Sequence, residues 1–236
     1  MKKNYHHSLA MLEIAANGIA PILNKVVFTG GAIVPLYAPN AKIDFRFTED
    51  VDCVIEISNT LSYYKLERKL RSLGFSNDTS SNIICRWRYK EILLDIMPTN
   101  EDILGFSNIW NIKGMENSID FILPSGCKIS IFSLSYLIAS KIEAYKAKGK
   151  GDFLLSKDYE DIIFLISYSP QINKIIESGR ELLEYLSSEF KSHLENSYFF
   201  ETIAGHFKPD NNQKRNVQNV VNFMNKIIVK ASMENF

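Results

Sequence analysis

Two aspartates stand two residues apart in Asp50-Val51-Asp52-Cys53-Val54-Ile55-Glu56-Ile57, a β-rich stretch that reads as a strand. Side chains alternate along a strand, so Asp50 and Asp52 share one face while Val51, Cys53 and Ile55 turn to the other. Neighbouring carboxylates repel, and desolvating them costs energy unless a cation joins them. Hard oxygen donors in this arrangement suit Mg²⁺ or Mn²⁺, which bridges a triphosphate and activates an attacking oxygen. An edge strand with a solvated acidic face would carry the same residues, because Asp-x-Asp is short and common.

Asp95 lies in Leu93-Leu94-Asp95-Ile96-Met97, an otherwise apolar strand, where a lone carboxylate requires a partner. If Lys90-Glu91 is a two-residue turn, Tyr89 faces Ile92 and Arg86 faces Asp95 on a shared side. Two readings follow. Arg86 and Asp95 form a structural ion pair, or Asp95 is a third metal-facing carboxylate with Arg86 or Arg88 nearby to receive phosphate charge. Upstream, Thr29-Gly30-Gly31 follows the short apolar strand Val26-Val27-Phe28 and precedes an expected helix. Glycines there let backbone N–H groups approach a phosphate at a helix N-terminus, although a plain tight turn uses the same pair. The Gly-Lys-Ser/Thr ending of a Walker loop is missing, and so is the third glycine of a dinucleotide fingerprint.

The elements that must position these groups are legible from patterning. A helix is expected over residues 6–23, ended by Asn24, and the helix after Gly31 should stop near Pro39. Tyr63, Leu66, Leu70 and Leu73 recur at helical spacing, with Gly74 as the residue past the end. Residues 83–97 read as a hairpin closed by Pro98, and 128–132 as a strand. Ser133 is the expected N-cap of a helix through about Tyr145. A Gly/Lys loop from Lys146 to Gly151 follows, then a helix from near Ser156 to Tyr168, stopped by Pro170. From 171 onward the pattern is helical, interrupted around Gly205 to Asn212. The fold class is mixed α/β (α+β). A small mixed sheet with helices occupies residues 1–132, and a mostly helical half, 133–236, should close the other side of a cleft.

The 236 residues carry 27 Lys plus Arg and 27 Asp plus Glu, a formal net charge of zero. The basic surplus of a nucleic-acid binder is absent, so any phosphate-binding surface must be local. Three cysteines, Cys53, Cys85 and Cys127, without paired spacing argue against a disulfide framework or a zinc site and fit a reducing cytoplasm. Lys2 and Lys3 precede no long apolar core, so no signal peptide is expected, and no apolar run is long enough to span a membrane. His6 and His7 read as surface residues of the first helix, Trp87 and Trp110 as packing residues, and Cys53 as core.

The order strand, Gly-Gly, helix, Asp-x-Asp strand, later Asp strand resembles the active-site plan of the DNA polymerase beta nucleotidyltransferase superfamily. More narrowly, the chain resembles AbiEii/AbiGii-type nucleotidyltransferases, the toxin halves of abortive-infection and related toxin–antitoxin pairs. The matching stretches are Thr29-Gly30-Gly31, Phe47-Thr48-Glu49-Asp50-Val51-Asp52 and Leu94-Asp95-Ile96-Met97-Pro98, then Lys141-Ile142-Glu143-Ala144 and Lys157-Asp158-Tyr159-Glu160-Asp161. They run from residue 25 to 168. Residues 171–236 lie outside the resemblance. It implies nucleotide and metal binding by Thr29, Gly30, Gly31, Thr48, Asp50 and Asp52, with Asp95 as third ligand and Arg86 near the phosphates. Lys141, Asp158 and Asp161 would complete the catalytic site. Two departures stand out: Lys157 where many members have Arg, and a longer Lys-to-Asp interval through Gly149-Lys150-Gly151-Asp152.

The residues of the second half also have plainer readings. Lys141 falls on or beside the apolar stripe of its helix, where a lysine can simply snorkel. Asp158 and Asp161 fall in a first helical turn, where acids complement the helix dipole. Lys146, Lys148 and Lys150 form a local positive cluster, a solvated loop or a seat for a triphosphate or an acceptor backbone. The expected activity is metal-dependent transfer of a nucleoside monophosphate from a nucleoside triphosphate to a hydroxyl. The resemblance implies an RNA acceptor, particularly tRNA ends, or a protein hydroxyl, and a cognate antitoxin. The alternatives are a small-molecule, antibiotic-type nucleotidyltransferase and a non-catalytic nucleotide- or partner-binding protein.

Overall fold

Among the described residues, seven strands form one mixed sheet in the order β3-β4-β5-β2-β1-β7-β6. They are β1 (Val26–Thr29), β2 (Asp50–Ile55), β3 (Ser76–Asn77), β4 (Arg86–Tyr89), β5 (Ile92–Pro98), β6 (Ile119–Ile122) and β7 (Lys128–Ile131). The structure is a computed structural model and describes residues 3–81, 83–148 and 151–233. Gly149 and Lys150 of the expected Gly/Lys loop lie outside the described residues. The chain divides into two compact units, Met1–Ser133 and Leu134–Phe236.

In the first unit, β2 runs antiparallel to β1 and parallel to β5, and β4 runs antiparallel to β5. The central strands are long in Val, Ile and Leu because both of their faces meet protein. Val51, Cys53, Val54, Leu94 and Ile96 are all fully buried. Burying each such side chain stabilises the sheet by about 1.5–3 kcal/mol. The β4–β5 turn at Lys90 and Glu91 has two residues, and Lys90 takes a left-handed φ of 49°. Two-residue hairpin turns need positive φ to match strand twist, and this one sets the expected register, Tyr89 opposite Ile92 and Arg86 opposite Asp95.

Helix α1 (Lys3–Gly18) buries Leu12, Ala15 and Ala16. It stops five residues earlier than its pattern suggests. A 3₁₀ helix, Ala20–Lys25, follows with Pro21 in its first turn. Pro21 has no N–H to donate to the ladder and its ring clashes with the preceding turn, so the α-helix ends before it. The segment after the glycines is likewise a 3₁₀ helix, Gly31–Tyr37, wholly buried and holding Pro35. Helix α2 (Thr60–Ser72) buries Tyr63, Leu66 and Leu70 and is capped by the Asn59 side chain, which accepts from Ser62 N–H. Its far end closes as a Schellman turn, with Phe75 N–H donating to Leu70 C=O and Gly74 N–H to Arg71 C=O around a Gly74 φ of 91°. The patterning did not disclose β3, β6, α3 (Glu101–Leu104) or α4 (Asn111–Glu116). These are short, and β6 exposes both Ile119 and Ile122, so it shows no alternation.

The second unit is helical: α5 (Leu134–Lys148), α6 (Lys157–Tyr168), a 3₁₀ helix (Ile172–Glu177), α7 (Arg180–Glu195), α8 (Phe199–Ala204) and α9 (Gln213–Met233). Ser156 caps α6 by accepting from Tyr159 N–H. Leu182, Leu183, Leu186 and Phe190 of α7 pack with α9, which buries Val220, Met224 and Ile227. Among the described residues no helix is long and apolar enough to cross a membrane.

Candidate active site

The register of the sheet places four expected residues in one row. Arg86 on β4 pairs with Asp95 on β5, Asp95 with Asp52 on β2, and Asp52 with Thr29 on β1. Cross-strand partners share a face, so all four side chains project from the same side of the sheet. Asp50, two residues before Asp52, joins that side and is half-buried, whereas Val51 and Cys53 are sealed on the other. Asp95 is buried, as its apolar strand requires.

Gly30 follows directly, with φ 71° and ψ −160°. A side chain there would be strained, and its Cβ would fall inside the Asp52 carboxylate. Any Cβ at Gly31 would come within 2.9 Å of Arg46 Nη2 and 3.0 Å of Thr48 Oγ1. The glycine pair therefore lets the chain turn tightly against the acidic row, between Asp52 on one side and Arg46 with Thr48 on the other. Thr48 Oγ1 donates to Asp50 Oδ1 at 3.4 Å, a long bond. Thr29 Oγ1, in the row itself, is buried without a hydrogen-bond partner among the described residues. Such an orphan costs about 1–3 kcal/mol unless something outside the chain satisfies it.

Arg86 binds two of the three carboxylates. Its Nε and Nη2 donate to the two oxygens of Asp95, both at 2.7 Å, and Nη2 also donates to Asp50 Oδ2. The hydrogen bond and charge of Asp95 outweigh burial and hold the guanidinium's pKa above its ordinary value. Arg88, the other expected phosphate partner, is half exposed and turns to Asp78, with Nη2 and Oδ1 3.0 Å apart.

The donor set fits a divalent cation in kind: hard carboxylate oxygens on one face, beside an orphan hydroxyl and a tight glycine turn. Yet among the described residues no group of three or more His, Cys, Asp or Glu forms a ready metal site. Arg86 supplies the positive charge between Asp50 and Asp95.

Lys141, Asp158 and Asp161 belong to the second unit and form a cluster of their own. Lys141 Nζ lies 2.6 Å from Asp161 Oδ2 and 2.9 Å from Asp158 Oδ1. Lys141 is 6% exposed and Asp161 fully buried. Burial alone would push the ammonium pKa down, but the facing Asp161 and Asp158 carboxylates override it and hold it above the ordinary lysine value. Lys146 ties to Glu143 and Glu189.

Two contributors escaped the sequence reading. Arg46 lies at Gly31 with its guanidinium 5.3 Å from the Phe45 ring centroid. His7 stacks on Phe47 at 4.7 Å between centroids, and its Nε2 is 3.2 Å from Thr48 O. With Asn4, whose amide donates to Phe45 O, it pins the 44–48 segment to α1. Only Arg46 carries a local signal, a cation four residues ahead of Asp50. Trp87 and Trp110 are buried packing residues, as expected. Cys53 is fully buried, and burial, then Asp52 and Asp95, push its thiol pKa far up, so it stays protonated and inert.

No family model matches the sequence, and no curated protein matches it. Among solved structures, the fold is similar to that of JHP933 from Helicobacter pylori, with TM-score 0.50 and 11% identity over 97% of this chain and 95% of that one. A candidate nucleotidyltransferase from H. pylori aligns over 96% of this chain and 97% of that one, with TM-score 0.47 and 12% identity.

Proposed function

We propose that the chain is a metal-dependent nucleotidyltransferase, with Asp50, Asp52 and Asp95 at its centre. One observation carries the reading: the register sets Asp52 and Asp95 side by side on one face, with Asp50 next to them and Gly30 folded against Asp52. Mg²⁺ or Mn²⁺ held by these carboxylates would supply charge neutralisation at a triphosphate. Gly30 and Gly31 let the backbone turn against the acidic row, and Arg46 beside Gly31 would offer a phosphate its guanidinium. Thr29 Oγ1 finds its missing hydrogen-bond partner on the bound ligand. The acceptor hydroxyl oxygen bonds to the α-phosphorus, its proton passes to a carboxylate of the row, and the bond to the departing pyrophosphate breaks.

The resemblance extends the proposal to a toxin-like role, with RNA, tRNA ends above all, or a protein hydroxyl as acceptor, and a cognate antitoxin as partner. Lys141, Asp158 and Asp161 enter the same proposal on the resemblance alone. A second reading has an observation in its favour. Because Arg86 already satisfies Asp50 and Asp95, a nucleotide-binding protein without transfer would present the same pairing.

Incubation of the purified protein with Mg²⁺, each α-³²P-labelled nucleoside triphosphate in turn and total bacterial RNA separates these readings. Label entering RNA with the unmodified protein, and not with an Asp50→Ala/Asp52→Ala variant, is the expected result. Label entering protein instead would move the acceptor. Nucleotide binding with no labelled product would favour the binding protein.

A further inference from the structure

In the proposed site, one nitrogen of the chain already does what a divalent cation would do. Arg86 Nη2 bridges Asp50 on β2 and Asp95 on β5, while Nε holds the second oxygen of Asp95. A guanidinium does not deprotonate in proteins, so this charge is permanent. The lone pairs that Asp50 and Asp95 give to the guanidinium become available to a metal only if the side chain moves. Its side chain is 13% exposed, at the surface of the sheet face rather than sealed in the core.

The two ties are unequal. Asp95 is held by two parallel bonds and its side chain is 8% exposed. Asp50 is held by one, its side chain is 31% exposed, and it has the Thr48 hydroxyl as a second donor. A bidentate, desolvated pair is the stronger. We infer that Arg86 is a displaceable resident cation. It pairs with Asp50 and Asp95 when no metal nucleotide is bound and yields Asp50 first when one enters. This inference rests on the nucleotidyltransferase reading of the site.

A consequence follows that a fixed structural tie would lack. A divalent cation alone must displace the guanidinium and leave it without an anion in place of Asp50. A divalent cation arriving with a triphosphate brings phosphate oxygens that can accept from the guanidinium in place of Asp50. Metal and triphosphate therefore bind cooperatively, and the cooperativity resides in Arg86. The arrangement also keeps the acidic row from accumulating metal ions without substrate.

The test is calorimetric titration with Mn²⁺ alone and with the preformed Mn²⁺–tripolyphosphate complex, on the unmodified protein, Arg86→Met and Arg86→Lys. The unmodified protein should bind the complex about tenfold or more tighter than Mn²⁺ alone, a detectable coupling by ordinary allosteric standards. Arg86→Met should bind Mn²⁺ alone about tenfold tighter than the unmodified protein and lose most of the coupling. Arg86→Lys, which keeps the charge without the fork, should fall between the two and serves as the deciding variant if Arg86→Met does not fold. Equal Mn²⁺ affinity in unmodified and variant proteins, or equal coupling in all of them, would overturn the inference. The titrations involve no turnover. Arg86-dependent coupling without labelled product in the transfer experiment would sink the transferase reading alone, whereas labelled product with Arg86-independent binding would sink this inference alone.

Discussion

The molecule holds two clusters of the same composition, aspartates around one cation, and their surroundings differ. In the second unit, Lys141 is wrapped by Asp158 and a fully buried Asp161. In the first, Arg86 spans a part-exposed Asp50 and a buried Asp95 on one sheet face, with Asp52 next in the row and an orphan hydroxyl on Thr29. A buried pair must be fully satisfied by its own members, because water cannot help. An acid-rich row with a part-exposed Asp50 and an unused hydroxyl has capacity left for something else. The contrast shows that residue type alone does not mark a site. Burial and unfilled hydrogen-bonding capacity separate the two clusters.

The largest effect should come from the receptive cluster and appear in activity. Asp50→Ala/Asp52→Ala should lower nucleotidyl transfer about a thousandfold or more while the protein stays folded, as loss of a centre of electrostatic stabilisation does. Gly30→Ala should match it, because the new Cβ occupies the place of the Asp52 carboxylate. Retained transfer in either variant, with folding confirmed by circular dichroism, would break the comparison.

The Lys141 cluster, the more deeply buried, should also answer in stability. Lys141→Met removes the cation from beside the buried Asp161 carboxylate, and should cost about 3–5 kcal/mol in urea denaturation of the whole chain. A cost below that of Arg86→Met would reverse the assignment of the two clusters.

A smaller effect depends on pH. His193 sits in an aromatic cluster with Tyr145, Phe153, Tyr159 and Phe199, and its Nδ1 is 3.0 Å from the Tyr159 hydroxyl. Burial first, then the Lys146 charge, lowers its pKa from 6.5 to about 4. With the folded pKa below the unfolded one, the unfolded chain binds the extra proton. Stability is complete above pH 6.5 and declines as pH falls toward 4, by up to about 3 kcal/mol from this group. His193→Gln should be less stable than the unmodified protein at neutral pH, and the gap should narrow on acidification. A constant gap between pH 7 and 4 would show that the histidine does not titrate with unfolding.

The smallest effect belongs to Arg88, whose half-exposed side chain pairs outside both clusters with a buried Asp78 that Ser80 also holds. Arg88→Ala should change stability by less than about 1 kcal/mol and leave transfer unchanged.

Much of the receptive cluster was legible because local rules set it. Strand alternation aligned Asp50 with Asp52, and a two-residue turn at Lys90-Glu91 set Arg86 opposite Asp95. The parallel pairing of Asp52 with Asp95 required topology that no local pattern carries. The bridge from Arg86 to Asp50 crosses 36 positions, and the grip of α1 on residues 44–48 crosses about 40, so both escaped notice. The helix periods around the glycines misled because Pro21 and Pro35 convert them to 3₁₀ turns. The pairing of Lys141 with both Asp158 and Asp161 depends on how α5 packs on α6, which spacing within either helix does not specify.

The central claim is cleavage at the α-phosphate by the acidic row, and the released product tests it whatever the acceptor. The protein, Mg²⁺, each nucleoside triphosphate and a bacterial extract are incubated and the free phosphates are separated. The account predicts pyrophosphate with the unmodified protein and none above background with Asp50→Ala/Asp52→Ala. Orthophosphate alone, or equal pyrophosphate from both proteins, would contradict it.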